Sequence, residues 1–217
     1  MPAARILLSL TTVGLLLLSA CGKSETSTAP STGFTDPRDG NTYDLVKIGT
    51  QTWFGENLDY KGTGSDTVGV CSQYQVDNCD LYGRLYTWAQ AMGVASSYNN
   101  TALNHTGRIQ GVCPTGSHLP SDSEWVVLDS VVHGKAQRLE SQLWNGNDTT
   151  GFGALPGGSR QYTGGFAVLG KEAYFWTSTE YSQADYGTYR YILNTDSLLR
   201  VASYYKTSSL SVRCLLN

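Results

Sequence analysis

Charge is scarce in this 217-residue sequence: Asp, Glu, Lys and Arg make up 15% of it, against about 25% in ordinary soluble domains. The basic residues form no cluster and the net charge is −3, which excludes the electrostatic footprint of a nucleic-acid binder. Only three histidines occur, and His105, His118 and His133 make neither HxxxH nor HExxH. Cys-x-x-Cys is absent too. The ligand spacings of a zinc site are therefore missing, and nothing in the sequence asks for a cofactor. There is no apolar run of the ~20 residues that a membrane-spanning helix needs, and no repeat of a period of about 20–50 residues. What the chain has in quantity is glycine (24 residues) and aromatics (14 Tyr, 5 Trp, 5 Phe). Such a chain can bury a core, which excludes wholesale disorder, and its length suits one ordinary domain.

The N-terminus reads as a secretory leader. Arg5 precedes an apolar run from Ile6 to Leu18, the length of a signal-peptide centre. Leu18-Ser19-Ala20-Cys21 follows and resembles the lipobox of bacterial lipoproteins, which implies cleavage before Cys21 and lipidation of its thiol. Several acyl chains hold a protein on a membrane stably, because each buried CH₂ contributes ~0.8 kcal/mol. Loss of residues 1–20 removes one cation, Arg5, and takes the net charge from −3 to −4. Residues 21–33 then read as the lipidated Cys and a Ser/Thr-rich tether, with the domain over 34–217. By flexible-linker scaling the tether spans roughly 20 Å. Gly22 stands where some bacteria place an inner-membrane retention Asp, so the expected location is the cell envelope, lipid-anchored at the outer membrane or cell surface.

With Cys21 assigned to lipid, Cys71, Cys79, Cys113 and Cys214 remain. Four cysteines allow three connectivities. The favoured one is Cys71–Cys79, closing a short polar loop, and Cys113–Cys214, spanning most of the domain. Disulfides fit an oxidising compartment.

Local patterns predict an opening hairpin, Tyr43–Ile48 with Thr52–Phe54, around Gly49-Thr50-Gln51. Residues 61–81 read as a stapled loop. Leu85, Trp88, Ala89 and Met92 fall on one helical stripe, so a helix is expected over 85–92, stopped by Gly93. Ser121 and Glu124 form a capping box that opens a second helix with Trp125, Leu128 and Val132 inward. A further helical stretch is expected over 135–143, with Ala136, Leu139 and Leu143 apolar. Strands are expected at 173–177, 188–193, 198–204 and 211–216. Helices early and strands late give an α+β class with a mainly antiparallel sheet. Trp53, Trp88, Trp125 and Trp176 sit inside these elements and are expected in the core.

Ordered strings then point to a family. They include Asp36-Pro37-Arg38-Asp39-Gly40, Tyr82-Gly83-Arg84-Leu85-Tyr86, Cys113-Pro114-Thr115-Gly116-Ser117-His118-Leu119-Pro120, Phe175-Trp176-Thr177-Ser178-Thr179 and Ser211-Val212-Arg213-Cys214. In this order, over about residues 34–217, they resemble the Fibrobacter succinogenes major paralogous domain (FISUMP), which implies an exported protein or lipoprotein. Cys113-x-x-Gly116-x-His118-Leu119 before a capped helix, with Cys214 near the end, is more distantly similar to C-type lectin domains. That likeness supports Cys113–Cys214 and implies a C-type-lectin-like fold: two helices flank the sheet, the N- and C-terminal strands meet, and a long irregular loop region lies above. His118 to Trp125 is also similar to formylglycine-generating enzymes. An enzyme of that kind needs free or copper-binding thiols, and four bridged cysteines leave none. Glu180, Asp185 and Asp196 offer a carbohydrate-active alternative without a defined carboxylate separation.

The expected function is a membrane-anchored binding module for a glycan or a cell-surface protein, with no nucleic-acid partner. The alternative is a structural surface lipoprotein that makes only protein contacts. Tyrosines combine a flat face with a hydrogen-bonding tip and suit wet interfaces. With Tyr189 and Tyr191 on one sheet face, Thr188 and Arg190 take the other. Arg160, Tyr162, Tyr181 and Tyr186 are the candidate ligand surface. Trp144-Asn145-Gly146-Asn147-Asp148 is similar to the calcium string of sugar-binding lectins but carries an insertion and lacks its partner motif. Asn145, Asn147 and Asp148 would supply two or three of the six to eight oxygens that calcium takes, and a Gly/Asn turn is the plainer expectation.

Overall fold

The computed structural model describes residues 33–196 and 198–217. The leader, Cys21 and the tether up to Thr32 lie outside them. In chain order the elements are β1 (Phe34–Thr35), β2 (Thr42–Tyr43), β3 (Leu45–Ile48), β4 (Gln51–Phe54), α1 (Val76–Tyr82), β5 (Leu85–Thr87), α2 (Trp88–Met92), β6 (Ser117–His118) and α3 (Asp122–Val132). Then follow β7 (Ser159–Arg160), β8 (Phe166–Ala167), β9 (Glu172–Glu180), β10 (Tyr186–Leu193), β11 (Arg200–Tyr205), β12 (Ser209–Ser211) and β13 (Leu215–Leu216). The class is α+β with few helices and mostly sheet.

A seven-stranded sheet runs β11-β10-β9-β12-β7-β8, with β5 also on β12, and a four-stranded sheet runs β3-β4-β13-β6. The larger sheet is mixed, which corrects the expectation of a mainly antiparallel one. β9, β10 and β11 form an antiparallel meander, but β12 lies parallel to β9, with Ser211 opposite Phe175. The cause is the crossing at Lys206–Ser208. Lys206 donates its N–H to Asp185 and gives its carbonyl to Trp88, so the chain keeps its direction instead of turning back beside β11.

The opening hairpin forms as its pattern predicts, with Leu45 opposite Phe54 and Ile48 opposite Gln51. Gly49 turns it at φ 62°, and a Cβ there would meet Val131 Cγ2 at 2.7 Å. β13 pairs with β4 through Leu215 and Trp53, so early and final strands of the described chain adjoin.

Four sequence expectations need correction. The 61–81 stretch contains α1 and a 3₁₀ turn at Ser72–Tyr74, so three α-helices are present among the described residues, not two. The 85–92 stripe is half strand: Leu85–Thr87 pairs with Ser209–Ser211, and Thr87 then caps α2 by accepting from the Gln90 N–H. Residues 135–143 make only short 3₁₀ turns at Ala136–Arg138 and Gln142–Trp144. There the Ala154 N–H goes to Leu139 and the Ala154 carbonyl takes the Ser141 N–H. This competing pairing replaces the helical ladder and leaves Leu143 82% exposed. The 211–216 strand splits between the two sheets, because Arg213 and Cys214 turn inward between β12 and β13.

All four expected core tryptophans are fully buried. Trp125 on α3 stands 4.9 Å from Trp53, 5.8 Å from Phe152 and 5.3 Å from Phe175 between ring centroids. Full burial of a large apolar side chain contributes roughly 1.5–3 kcal/mol. Arg213 is buried beside this cluster, 4.2 Å over the Phe152 ring. It donates to the carbonyls of Phe54 and Phe152 and to Asn57 Oδ1. Burial pushes its pKa down to about 9.

Candidate functional site

β10 alternates as its sequence predicts. Thr188 and Arg190 are buried, and the Arg190 Nε donates to Asp122 at the head of α3 at 2.6 Å. Tyr189 and Tyr191 take the opposite face, where Tyr191 stands across from Tyr174 on β9 and Tyr189 across from Trp176. Tyr174, Tyr189, Tyr191 and Tyr204 lie with neighbouring ring centroids 5.4–6.0 Å apart. Tyr174, Tyr189 and Tyr204 line a 190 Å³ cavity with Ser159, Gln161 and Leu210.

Where β10 begins and β11 ends, a separate group of tyrosines reaches solvent. Tyr186 opens β10 directly opposite Tyr205, the last residue of β11, and their centroids are 4.4 Å apart. Tyr162, on the β7–β8 connection, stands 4.5 Å from Tyr205. Tyr181, just after β9, stands 6.4 Å from Tyr186. Tyr162 is 56% and Tyr181 47% exposed. A continuous ridge results, Tyr162–Tyr205–Tyr186–Tyr181, and it joins three of the four candidate residues through Tyr205. The Tyr186 hydroxyl is pushed up to about 12, first by its hydrogen bond with Tyr205. Arg160 belongs to the same β7–β8 hairpin, but its guanidinium reaches toward Gly164 and its buried Nε has no hydrogen-bond partner.

A second concavity escaped the sequence reading. Residues 104–108, the start of α3 and the end of β9 enclose a polar cleft of 740 Å³. Its walls include Asn104, Arg108, Ser123, Glu124, Thr179 and Glu180. The capping box predicted from Ser121 and Glu124 forms one wall. Glu124 Oε2 accepts from the Ser121 N–H and Oγ, each at 2.8 Å, and Oε1 lies 3.0 Å from His118 Nε2. Burial raises the Glu124 pKa, but the hydrogen bonds from His118 and Ser121 outweigh it and hold the carboxyl at about 2. Glu180 accepts from the N–H groups of Leu103 and Asn104 and from Lys206 Nζ at 2.6 Å. Burial raises its pKa as well, and these partners bring it below the usual value. Lys206 is itself fully buried. It also donates to the carbonyls of Thr101 and Ala184 and stands 4.2 Å over Trp88. The cleft was not legible because three segments distant in sequence build it, and its one local signal, the capping box, reads as a helix start.

The remaining candidates serve local structure. Asp148 accepts the Gly153 N–H at 3.1 Å, and Asn145 holds the left-handed position that ends a 3₁₀ turn, at φ 63°. Asn145 and Asn147 are exposed. Glu180 is held by Lys206, and Asp196 by Arg200 at 2.7 Å. Both favoured disulfides are present, Cys71–Cys79 and Cys113–Cys214. Cys21 lies outside the described residues.

In comparison with known families, the model of the Fibrobacter succinogenes major domain fits residues 46–215. No match was found among curated proteins or among solved structures. The matched region takes in both disulfides, all three α-helices, the cleft and the tyrosine ridge, and the chain belongs to the Fibrobacter succinogenes major domain family.

Proposed function

We propose that this protein is a lipid-anchored extracytoplasmic binding module that recognises a glycan through the tyrosine ridge. The single observation that carries the reading is the ridge itself: four tyrosines, two of them about half exposed, lie in one row across the ends of β9, β10 and β11. Rigid aromatic rings with hydroxyl tips offer stacking area at low conformational-entropy cost, and sugars present both apolar ring faces and hydroxyls. Export is supported by the two disulfides, which persist in oxidising compartments, together with the leader and Cys21. The C-type-lectin-like arrangement is supported by the Cys113–Cys214 bridge and by the pairing of β13 with β4.

The test is a glycan array and an insoluble-polysaccharide pull-down with the detergent-extracted full chain. Retention is expected, and Tyr162→Ala with Tyr186→Ala lowers affinity by about tenfold or more, about 1.4 kcal/mol, without altering thermal stability. Failure to bind any glycan while a stoichiometric protein partner is recovered from envelope extracts transfers the role to a structural surface lipoprotein. Mass spectrometry of the N-terminus checks the anchor: it is expected to begin at a diacylglyceryl-modified Cys21.

A further inference from the structure

We infer that the polar cleft at the head of α3 is a second binding site, built for a carboxylate on a polyhydroxylated ligand, a uronate, with Arg108 as its anchor. The inference stands apart from the tyrosine ridge and does not need it. At 740 Å³ the cleft has the volume of a small-molecule site, commonly about 300–1,000 Å³.

Its charges sort into two kinds. The carboxylates are engaged by groups in or behind the walls: Glu180 by Lys206 and two backbone N–H groups, and Glu124 by Ser121 and His118. Arg108 is different. It is 53% exposed, and its approach to Glu124 Oε1 is 3.6 Å, beyond the roughly 2.7–3.2 Å of an N–H···O bond. No hydrogen bond of its side chain is formed among the described residues, so the guanidinium lines the cleft held only by a loose ion pair with Glu124. A planar guanidinium fork matches a carboxylate in bidentate geometry.

The rest of the lining selects the ligand's other end. Thr106, Ser123, Thr179 and Asn104 present hydroxyl and amide groups, and no Tyr, Trp or Phe lines the cleft. His105 is the one ring in the lining, and its Nε2 stands 3.3 Å from the Ser178 carbonyl, so a ligand held there relies chiefly on hydrogen bonds, as a sugar acid does. The rim is also preformed. Lys206 ties the Thr101 carbonyl, and Glu180 ties the N–H groups of Leu103 and Asn104, so the loop that carries Arg108 is fastened on its N-terminal side. A site held in place before binding loses less affinity to ordering.

The test is calorimetric titration of the full chain, disulfides intact, with trigalacturonate, glucuronate, acetate and the neutral sugar galactotriose. Trigalacturonate or glucuronate is expected to bind at least about tenfold more tightly than galactotriose, and more weakly as salt rises. Preference for trigalacturonate over glucuronate assigns the site to a uronate within a polysaccharide, and the reverse to a free sugar acid. Arg108→Gln is expected to abolish the preference for acid over neutral sugar, with thermal stability unchanged. Arg108→Lys restores part of it, since charge remains and the fork is lost. Equal affinity for acid and neutral sugar, binding of acetate as tight as that of either uronate, an Arg108→Gln variant that binds like the parent, or no heat with any uronate at millimolar concentration overturns the inference. Loss of uronate binding on Tyr181→Ala but not on Arg108→Gln also overturns it, by moving the ligand to the ridge.

Discussion

Glu124 closes the capping box of α3 with one carboxylate oxygen and faces His118 with the other. Burial works against its charge, and the hydrogen bonds override burial, so the carboxyl stays ionised down to about 2 against an ordinary 4.5. The sign of the linkage follows. A carboxyl whose folded pKa is depressed stabilises the fold fully above its unfolded pKa and loses that contribution as pH falls through the folded one. Unfolding free energy is therefore expected to fall between about pH 5 and pH 2, with about 3 kcal/mol from this group at 1.36 kcal/mol per unit. Denaturant titration at a series of pH values checks this. Glu124→Gln flattens the acid limb, and an unchanged slope in that variant shows that other carboxyls carry it. Arg213, unlike Glu124, has no counterpart in a local pattern. Its guanidinium is buried among carbonyls and Asn57, a setting that Ser-Val-Arg-Cys alone does not reveal, because its acceptors come from residues 54, 57, 152 and 153.

Among the elements, β10 carries Tyr186 of the ridge and depends on one glycine. The register between β9 and β10 shifts between Gly187 and Tyr189, a bulge that re-aims the side chains beyond it. Trp88 fills the space over Gly187, where a Cβ would lie 2.6 Å from its Cδ1, and the Trp88 Nε1–H donates to Thr177 at 3.1 Å. Gly187→Ala is expected to destabilise by roughly 1–3 kcal/mol through overpacking and to lower the melting temperature. Gly165→Ala, whose Cβ would meet nothing within 4 Å, is the control and is expected to stay within about 0.5 kcal/mol. Equal effects at the two positions would show that Trp88 yields without cost. α3 formed where Ser121 and Glu124 predicted it, because a capping box is satisfied within four residues and needs no outside partner. The 85–92 and 135–143 segments departed from their helical periodicity for the opposite reason: β12 and Ala154, far along the chain, took their backbone groups.

On the scale of the whole molecule, the two disulfides differ in reach. Cys71–Cys79 closes eight residues of separation and Cys113–Cys214 closes 101. Chain-entropy arguments give roughly 2.6 kcal/mol for the short loop and about 4.7 for the long one, before strain. Cys113→Ala with Cys214→Ala is expected to lower the melting temperature by roughly 10–20 °C at about 2–4 °C per kcal/mol. Cys71→Ala with Cys79→Ala is expected to cost about half as much. Equal losses measured by calorimetry would show that residual structure in the unfolded chain, not loop length, sets the gain.

The sequence by itself determined whatever a few neighbouring residues decide. The Ser121–Glu124 cap, the turn at Gly49, the alternation of Tyr189 and Tyr191 against Arg190, and a core of four tryptophans all rest on short-range geometry or on hydrophobicity. The ordered strings also marked the family, which the match over residues 46–215 establishes. Tertiary structure alone decided how distant backbone groups pair. It made β12 parallel to β9, divided the last predicted strand between two sheets, and gathered Arg108, Glu124 and Glu180 around one cleft. The physical reason is that buried N–H and C=O groups must find partners. When several partners are in reach, the choice depends on which segments the completed core brings together, and local periodicity does not record that.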